Sequence, residues 1–223
     1  MLSLLSALQQ ADAAFPGGGF AFSNGMEGLA ATGARLDEFG LAGVLTAVLR
    51  HRWAPCDRVA LVLAWRAGAV PERLATIDHA MEAATLPESL RRGSCGNGAA
   101  LLAAHVRLDT PGAAQLHEAL ASGDMLGHLA VVQGALWRQV GLDEATAVHV
   151  GGYTVVSGLT SAAVRLSCLG ALAAQRALRT VLPLIAELSC SPVGDDAQLS
   201  GSLPWLDIAC ARQQTAALRL FAN

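Results

Sequence analysis

Asp37-Glu-Phe-Gly-Leu-Ala-Gly-Val-Leu-Thr-Ala-Val-Leu49 decides the fold class. Its apolar residues Leu41, Val44, Leu45, Val48 and Leu49 form one stripe down a helix, and Asp37 stands where an N-cap carboxylate belongs. The same period recurs along the chain. Val59 to Trp65 is apolar on every side, which predicts a central helix. Leu74, Ile77, Met81 and Ala84 make the next stripe. Pro55 and Pro71 are placed where a first helical turn tolerates proline. Pro87 opens a segment that reaches Val106 and is weakened by Gly93, Gly96 and Gly98. Asp109-Thr-Pro-Gly112 reads as a turn. Leu129, Val132, Leu136 and Val140 give a helix that stops at Gly141, and Asp143 caps another that begins at Glu144. Leu172 to Leu188 continues the pattern, with a kink expected at Pro183. Trp205 to Phe221 is the last helix. No alternating stretch exceeds three or four residues. The expectation is an all-α chain, an irregular bundle of about ten helices. It divides into a helical core over 1–188, a flexible Ser/Pro/Gly/Asp-rich linker over 189–204 and a C-terminal segment over 205–223.

Composition agrees. The 223 residues are enough for one domain with a real core. Hydrophobic residues make up 53% and aromatics only 4%, so most apolar content is alanine and small aliphatics, which lean to helix. All 15 basic residues are arginine. With a net charge of −3 and a pI near 6.0, no basic footprint points to nucleic acid. Five cysteines, odd in number and without a CxxC pair, form neither a disulfide framework nor a zinc cage. Met1 to Ala14 lacks a basic region and carries Asp12, which speaks against a secretory leader. These features imply a cytoplasmic protein. Mean hydropathy is +0.43, which raises the question of a membrane span. The uncharged run Val150 to Val164 is too short for one and is broken by Gly151, Gly152 and Gly158. It reads as a buried helix whose small residues let neighbours approach closely.

No acid, base and nucleophile assemble in the sequence. There is no GxSxG elbow and no GxxxxGK[ST] loop. Asp195-Asp196 and Arg91-Arg92 read as solvated pairs. Six histidines are scattered without HxH or HxxxH spacing, so no metal-ligand set is legible; a site built from residues far apart in the chain stays open. The unusual stretches are two. Phe15 to Glu27 holds Pro16, Gly17, Gly18, Gly19 and Gly25, which read as a tight structural turn. That turn delivers Ser23 or Asn24 as a helix N-cap with Glu27 in the first turn, and Phe20, Phe22 and Glu27 outward. Leu203 to Phe221 follows the linker and carries Trp205, Leu206, Ile208 and Phe221, either as groove-filling anchors or as a helix on its own core.

Loop and tail together resemble the UreF family of urease accessory proteins. The family loop A-x-x-P-x-G-G-F-x-x-S-x-G-L-E reads here Ala13-Ala-Phe-Pro-Gly-Gly-Gly-Phe-Ala-Phe-Ser-Asn-Gly-Met-Glu27. Further matches are Gly141-Leu-Asp143 with Ala147, Ser161-Ala-Ala-Val-Arg-Leu166, Leu169-Gly170, Pro204-Trp-Leu-Asp-Ile208 and Arg219-Leu-Phe221. Two departures stand out: Gln213-Gln214 replaces the family's usual His-Glu, and Met26 its leucine. The resemblance implies a non-enzymatic, dimeric adaptor that binds no cofactor stably. It would bridge a UreD/UreH-type protein and the UreG GTPase, modulate that GTPase, and serve nickel delivery to apo-urease, with nickel and GTP acting through the partners. Phe20, Phe22, Ser23, Asn24, Glu27, Trp205, Asp207, Ile208, Arg212, Arg219 and Phe221 are the expected partner-binding residues. The rival expectations are a metallochaperone that holds nickel itself and a small-molecule-binding enzyme that uses the glycine loop.

Overall fold

A computed structural model describes residues 2–214 and 221, the side chains of Phe20 and Gln214 excepted. Among these residues the chain is helical with no strand. In order come α1 (Leu2–Ala11), a 3-10 turn (Gly19–Ala21), α2 (Met26–Ala31), α3 (Glu38–Val48), a π-helical segment (Leu49–Asp57) and α4 (Arg58–Ala67). There follow α5 (Pro71–Ala83), α6 (Glu88–Arg107), α7 (Ala113–Ser122), α8 (Leu129–Gln139), α9 (Glu144–Arg165), α10 (Ala171–Ser189) and α11 (Pro204–Gln214). No helix among the described residues is long and apolar enough to cross a membrane.

Two caps are where the sequence puts them. Asp37 Oδ1 accepts from the Gly40 N–H at 2.9 Å, and Asp143 Oδ1 from the Thr146 N–H at 2.7 Å. Each carboxylate satisfies an orphan donor of the first turn, and these bonds hold both carboxyls below the usual range. Pro71 occupies the first turn of α5 and Pro87 precedes α6. Pro55 differs from expectation. It lies inside the π segment, in a helix continuous from Glu38 to Ala67. Proline lacks the N–H that an α-helical ladder needs, and the looser π turn accommodates it. The Arg58 N–H accordingly reaches the Trp53 carbonyl.

α4 and α8 form the centre, with Leu61, Val62, Ala64, Val131, Ala135 and Leu136 all buried. A Cβ at Gly134 would stand 2.3 Å from the Leu61 carbonyl oxygen, so the two backbones meet without a side chain between them. α9 crosses with Gly152 against the Trp53 ring and Ile185. Beyond this core, Asp78 of α5 is fully buried. Its carboxylate accepts the N–H groups of Leu126, Gly127 and His128 at 2.7, 2.7 and 2.9 Å, which fixes the turn leading into α8 from a neighbouring helix.

One buried polar network ties α1, α6 and α8. Gln10 Oε1 accepts from Trp137 Nε1 at 2.9 Å and from His105 Nε2 at 3.1 Å, while His105 Nδ1 receives the Thr110 hydroxyl at 2.8 Å. An amide oxygen only accepts, so His105 carries a hydrogen on Nε2. Burial pushes its pKa below 6.5. The unfolded chain therefore takes up a proton near pH 6.5 that the folded chain refuses. Stability should be fully present above that pH and fall as the pH drops toward the lower folded value. Urea unfolding between pH 7 and pH 5 is expected to show this loss, and His105→Asn to remove most of the slope.

Candidate protein-interaction site

The glycine loop and the tail meet. Ser23 is buried, its carbonyl accepts the Met26 N–H at 3.1 Å, and Asn24 and Gly25 follow with φ of 50° and 89°. The residue that enters α2 is Gly25, not Ser23 or Asn24 as the sequence suggested, because two successive left-handed residues swing the chain into the helix with no side-chain cap. Gly25 is also sterically required: a Cβ there would meet Leu206 Cδ1 at 2.5 Å. One turn on, a Cβ at Gly28 would stand 2.4 Å from the Ala209 carbonyl oxygen. α11 thus lies directly on the backbone of α2, with Leu206, Ala209, Cys210 and Gln213 buried in the contact. The glycines earlier in the loop differ among themselves. Gly18 has φ of 76° and no room beside Ala100, but a Cβ at Gly19 would meet open space.

Glu27 does not face outward. It is 8% exposed, and its Oε2 accepts a hydrogen bond from Gln213 Nε2 of α11. The turn of α2 that lies against α11 carries it inward. Phe22 is half-buried with its ring over Gly93 and Gly96 of α6, so those helix-weakening glycines make the seat for an aromatic ring. Pro16 lies exposed beside an open hollow of about 600 Å³ lined by Phe15, Ala100, Ala103 and Ala104, with Asp12 and Arg107 at its polar side.

The tail divides by face. Leu206 is 5% exposed, whereas Trp205 is 39% and Ile208 55% exposed. Asp207 is half-buried; burial pushes its carboxyl up, and the Arg52 guanidinium draws it back. Arg212 is exposed in the last turn. Phe221 is buried rather than outward-facing, with the Arg165 guanidinium 4.3 Å from its ring centroid. Arg219 lies outside the described residues, and of Phe20 only the backbone, within the 3-10 turn, is described.

The stretch 189–204, expected as a flexible linker, starts in the last turn of α10 and ends on the first residue of α11. Between them it is tethered. Arg58 Nη1 donates to the Ser191 carbonyl at 2.7 Å, and Arg66 Nη1 to Val193 O and Asp195 Oδ1, both at 2.8 Å. The Ser200 and Ser202 N–H groups donate to Pro55 O and His51 O at 3.0 and 3.2 Å. The expected solvated role of Asp195 is thus only half met: the side chain is exposed but paired with Arg66.

A second apolar surface escaped the sequence reading. α1 exposes Leu2, Leu4, Leu5 and Leu8, each more than half exposed. The period of these leucines was the available signal, in a stretch read only for targeting. Sequence reasoning also missed that Glu82, Cys95 and His128 converge in space.

Comparison with known proteins places this arrangement. The UreF family model matches residues 36–182. The urease accessory protein UreF of Trichodesmium erythraeum is 31% identical over 229 residues, covering 98% of this chain and 96% of its own. Those of Yersinia pestis strain Pestoides F and Yersinia enterocolitica serotype O:8 are each 29% identical over 225 residues, covering 99% of this chain and 98% of theirs. Both the glycine loop and α11 lie inside these full-length matches, and the chain belongs to the UreF family of urease accessory proteins.

Proposed function

We propose that this protein is a non-catalytic, dimeric adaptor in the cytoplasmic assembly that matures urease. It bridges a UreD/UreH-type accessory protein and the UreG GTPase, modulates that GTPase, and serves nickel delivery to apo-urease while nickel and GTP are handled through the partners. The observation that carries this reading is α11. It buries one face on α2 and leaves Trp205 and Ile208 exposed on the other. An aromatic and a branched aliphatic side chain held on a fixed helix form the kind of anchor that dominates protein interfaces. The UreD/UreH-type protein is assigned to this face. A bridge needs a second surface, and the leucines of α1 supply an apolar patch of the sort monomers seldom leave uncovered. Glu27 supports the α11 face from beneath.

Trp205→Ala combined with Ile208→Ala should leave stability nearly unchanged, within about 0.5 kcal/mol per exposed position. The same variant should weaken the complex with the UreD/UreH-type protein roughly tenfold or more in size-exclusion or calorimetric titration. A complex of unchanged affinity removes α11 from the interface.

Glu27→Ala should cost about 1–3 kcal/mol because it leaves the buried Gln213 amide unsatisfied, and Gln213→Ala should also destabilise by removing a buried bond. The pair should couple in a double-mutant cycle by about 0.5 kcal/mol or more. Additive effects without coupling, together with lost GTPase recruitment, would restore Glu27 as a direct contact.

The purified chain should hydrolyse neither GTP nor urea. Turnover that a point substitution in this chain abolishes would overturn the adaptor reading.

A further inference from the structure

Three potential ligand side chains from three helices converge at the start of α8. Glu82 lies in the last turn of α5, Cys95 within α6, and His128 is the residue that caps α8. A Glu82 carboxylate oxygen, Cys95 Sγ and a His128 ring nitrogen all lie within 4.8 Å of one another. Ligands that share a zinc-sized ion, each about 2.0–2.3 Å from it, stand about 3.3–3.8 Å apart, so shifts of about 1 Å bring these atoms onto one ion.

The surroundings orient this set. His128 is fully buried. Its backbone is fixed by the N–H bond to Asp78. Its Nε2 lies 2.9 Å from Glu82 Oε2, and its Nδ1 lies 3.1 Å from Ser94 Oγ. Arg91 Nε holds the other Glu82 oxygen at 2.8 Å, which leaves Oε2 turned to the imidazole. Outer partners of this kind set the ring orientation and tautomer of ligating histidines. Cys95 and Glu82 are both partly exposed, which gives an ion a way in.

We propose that Glu82, Cys95 and His128 form a site for one divalent transition-metal ion of the zinc, cobalt and nickel class, with water completing the shell. Thiolate, imidazole and carboxylate together suit borderline ions and not calcium or magnesium. On binding, the Cys95 S–H bond breaks and its proton goes to water while sulfur donates its electron pair to the ion. The Nε2 proton of His128 passes to water and Nδ1 takes one from water in its place, so the imidazole stays neutral while its Nδ1–H donates to Ser94 Oγ. Burial, reinforced by the Asp78 and Glu82 carboxylates, pushes the free Cys95 thiol up to about 11. An ion among those carboxylates reverses that balance.

The proposal does not rest on the adaptor reading, and its test uses the full chain alone, without partners or urease. Metal-free protein is titrated with cobalt(II) chloride. The expected result is one equivalent bound, with a sulfur-to-cobalt charge-transfer band that zinc(II) or nickel(II) displaces. Cys95→Ser should abolish the band, and Glu82→Gln should weaken binding about tenfold or more. Cys190→Ser, which removes an exposed thiol, should keep both band and affinity. Thermal melts of metal-free variants check that each is folded. No band in the wild-type protein, or a band that survives in folded Cys95→Ser, overturns the site. Should Cys95→Ser fail to fold, X-ray absorption of the wild-type cobalt adduct decides. Sulfur and imidazole together in the shell support the site, and a shell of oxygen alone overturns it.

Discussion

α8 lies so close to α4 that position 134 has no room for a side chain, since a Cβ there would also stand 2.9 Å from Ala64 Cβ. The rest of the bundle depends on this contact. A chain that is 53% hydrophobic but only 4% aromatic cannot fill a wide gap between helices with large rings. It reaches interior density by bringing backbones together, where many small dispersion contacts add up. The two large rings in the core, Trp53 and Trp137, are both nearly inaccessible. Gly151 and Gly152 of α9 pack against them and against Leu61. Small residues at these crossings are therefore structural necessities, although helix propensity alone would count each glycine a cost of about 1 kcal/mol.

The same device operates at the periphery, where it acquires a functional meaning. Gly25 and Gly28 admit α11 onto the backbone of α2 as Gly134 admits α8 onto α4. Burying Leu206 there contributes on the order of 1.5–3 kcal/mol. α11 is thus part of the fold on one face and an exposed apolar surface on the other. The glycine loop is its seat and not a separate ledge. Residues of the loop act on the tail from below, so a change in Gly25 would disturb the exposed pair Trp205 and Ile208 without touching either.

The helical class, the Asp37 and Asp143 caps, the Asp109-Thr-Pro-Gly112 turn and the stop at Gly141 were legible because each is a local consequence of backbone chemistry. α1 and α7 were not read out in the sequence, although both are amphipathic helices of ten residues. Pro55 was read by position in the chain, but the continuity of α3 with α4 overrode the local stop. The site was legible as two unusual segments and not as one place. Nothing in spacing says that residue 27 meets residue 213, or that Gly93 and Gly96 wait for Phe22. The cluster of Glu82, Cys95 and His128 was invisible for the same reason. Three helices and the buried Asp78 carboxylate build it, and none of these relations leaves a mark in a linear motif.

The Glu27–Gln213 contact shows how the fold constrains the chemistry of the tail. Gln213 is the donor, at the position where the resemblance read in the sequence implies histidine. A histidine donor would change charge near neutral pH, so its bond to a buried carboxylate would strengthen and weaken as the pH moves. The glutamine amide donates at any pH, and its bond to the Glu27 carboxylate is charge-assisted through the acceptor alone. The remainder of the attachment then falls to shape: the Leu206 side chain against Gly25, the Ala209 carbonyl over Gly28, and Phe221 beneath Arg165. Shape complementarity of this kind does not titrate. In this chain the presentation of Trp205 and Ile208 is therefore set mainly by close packing.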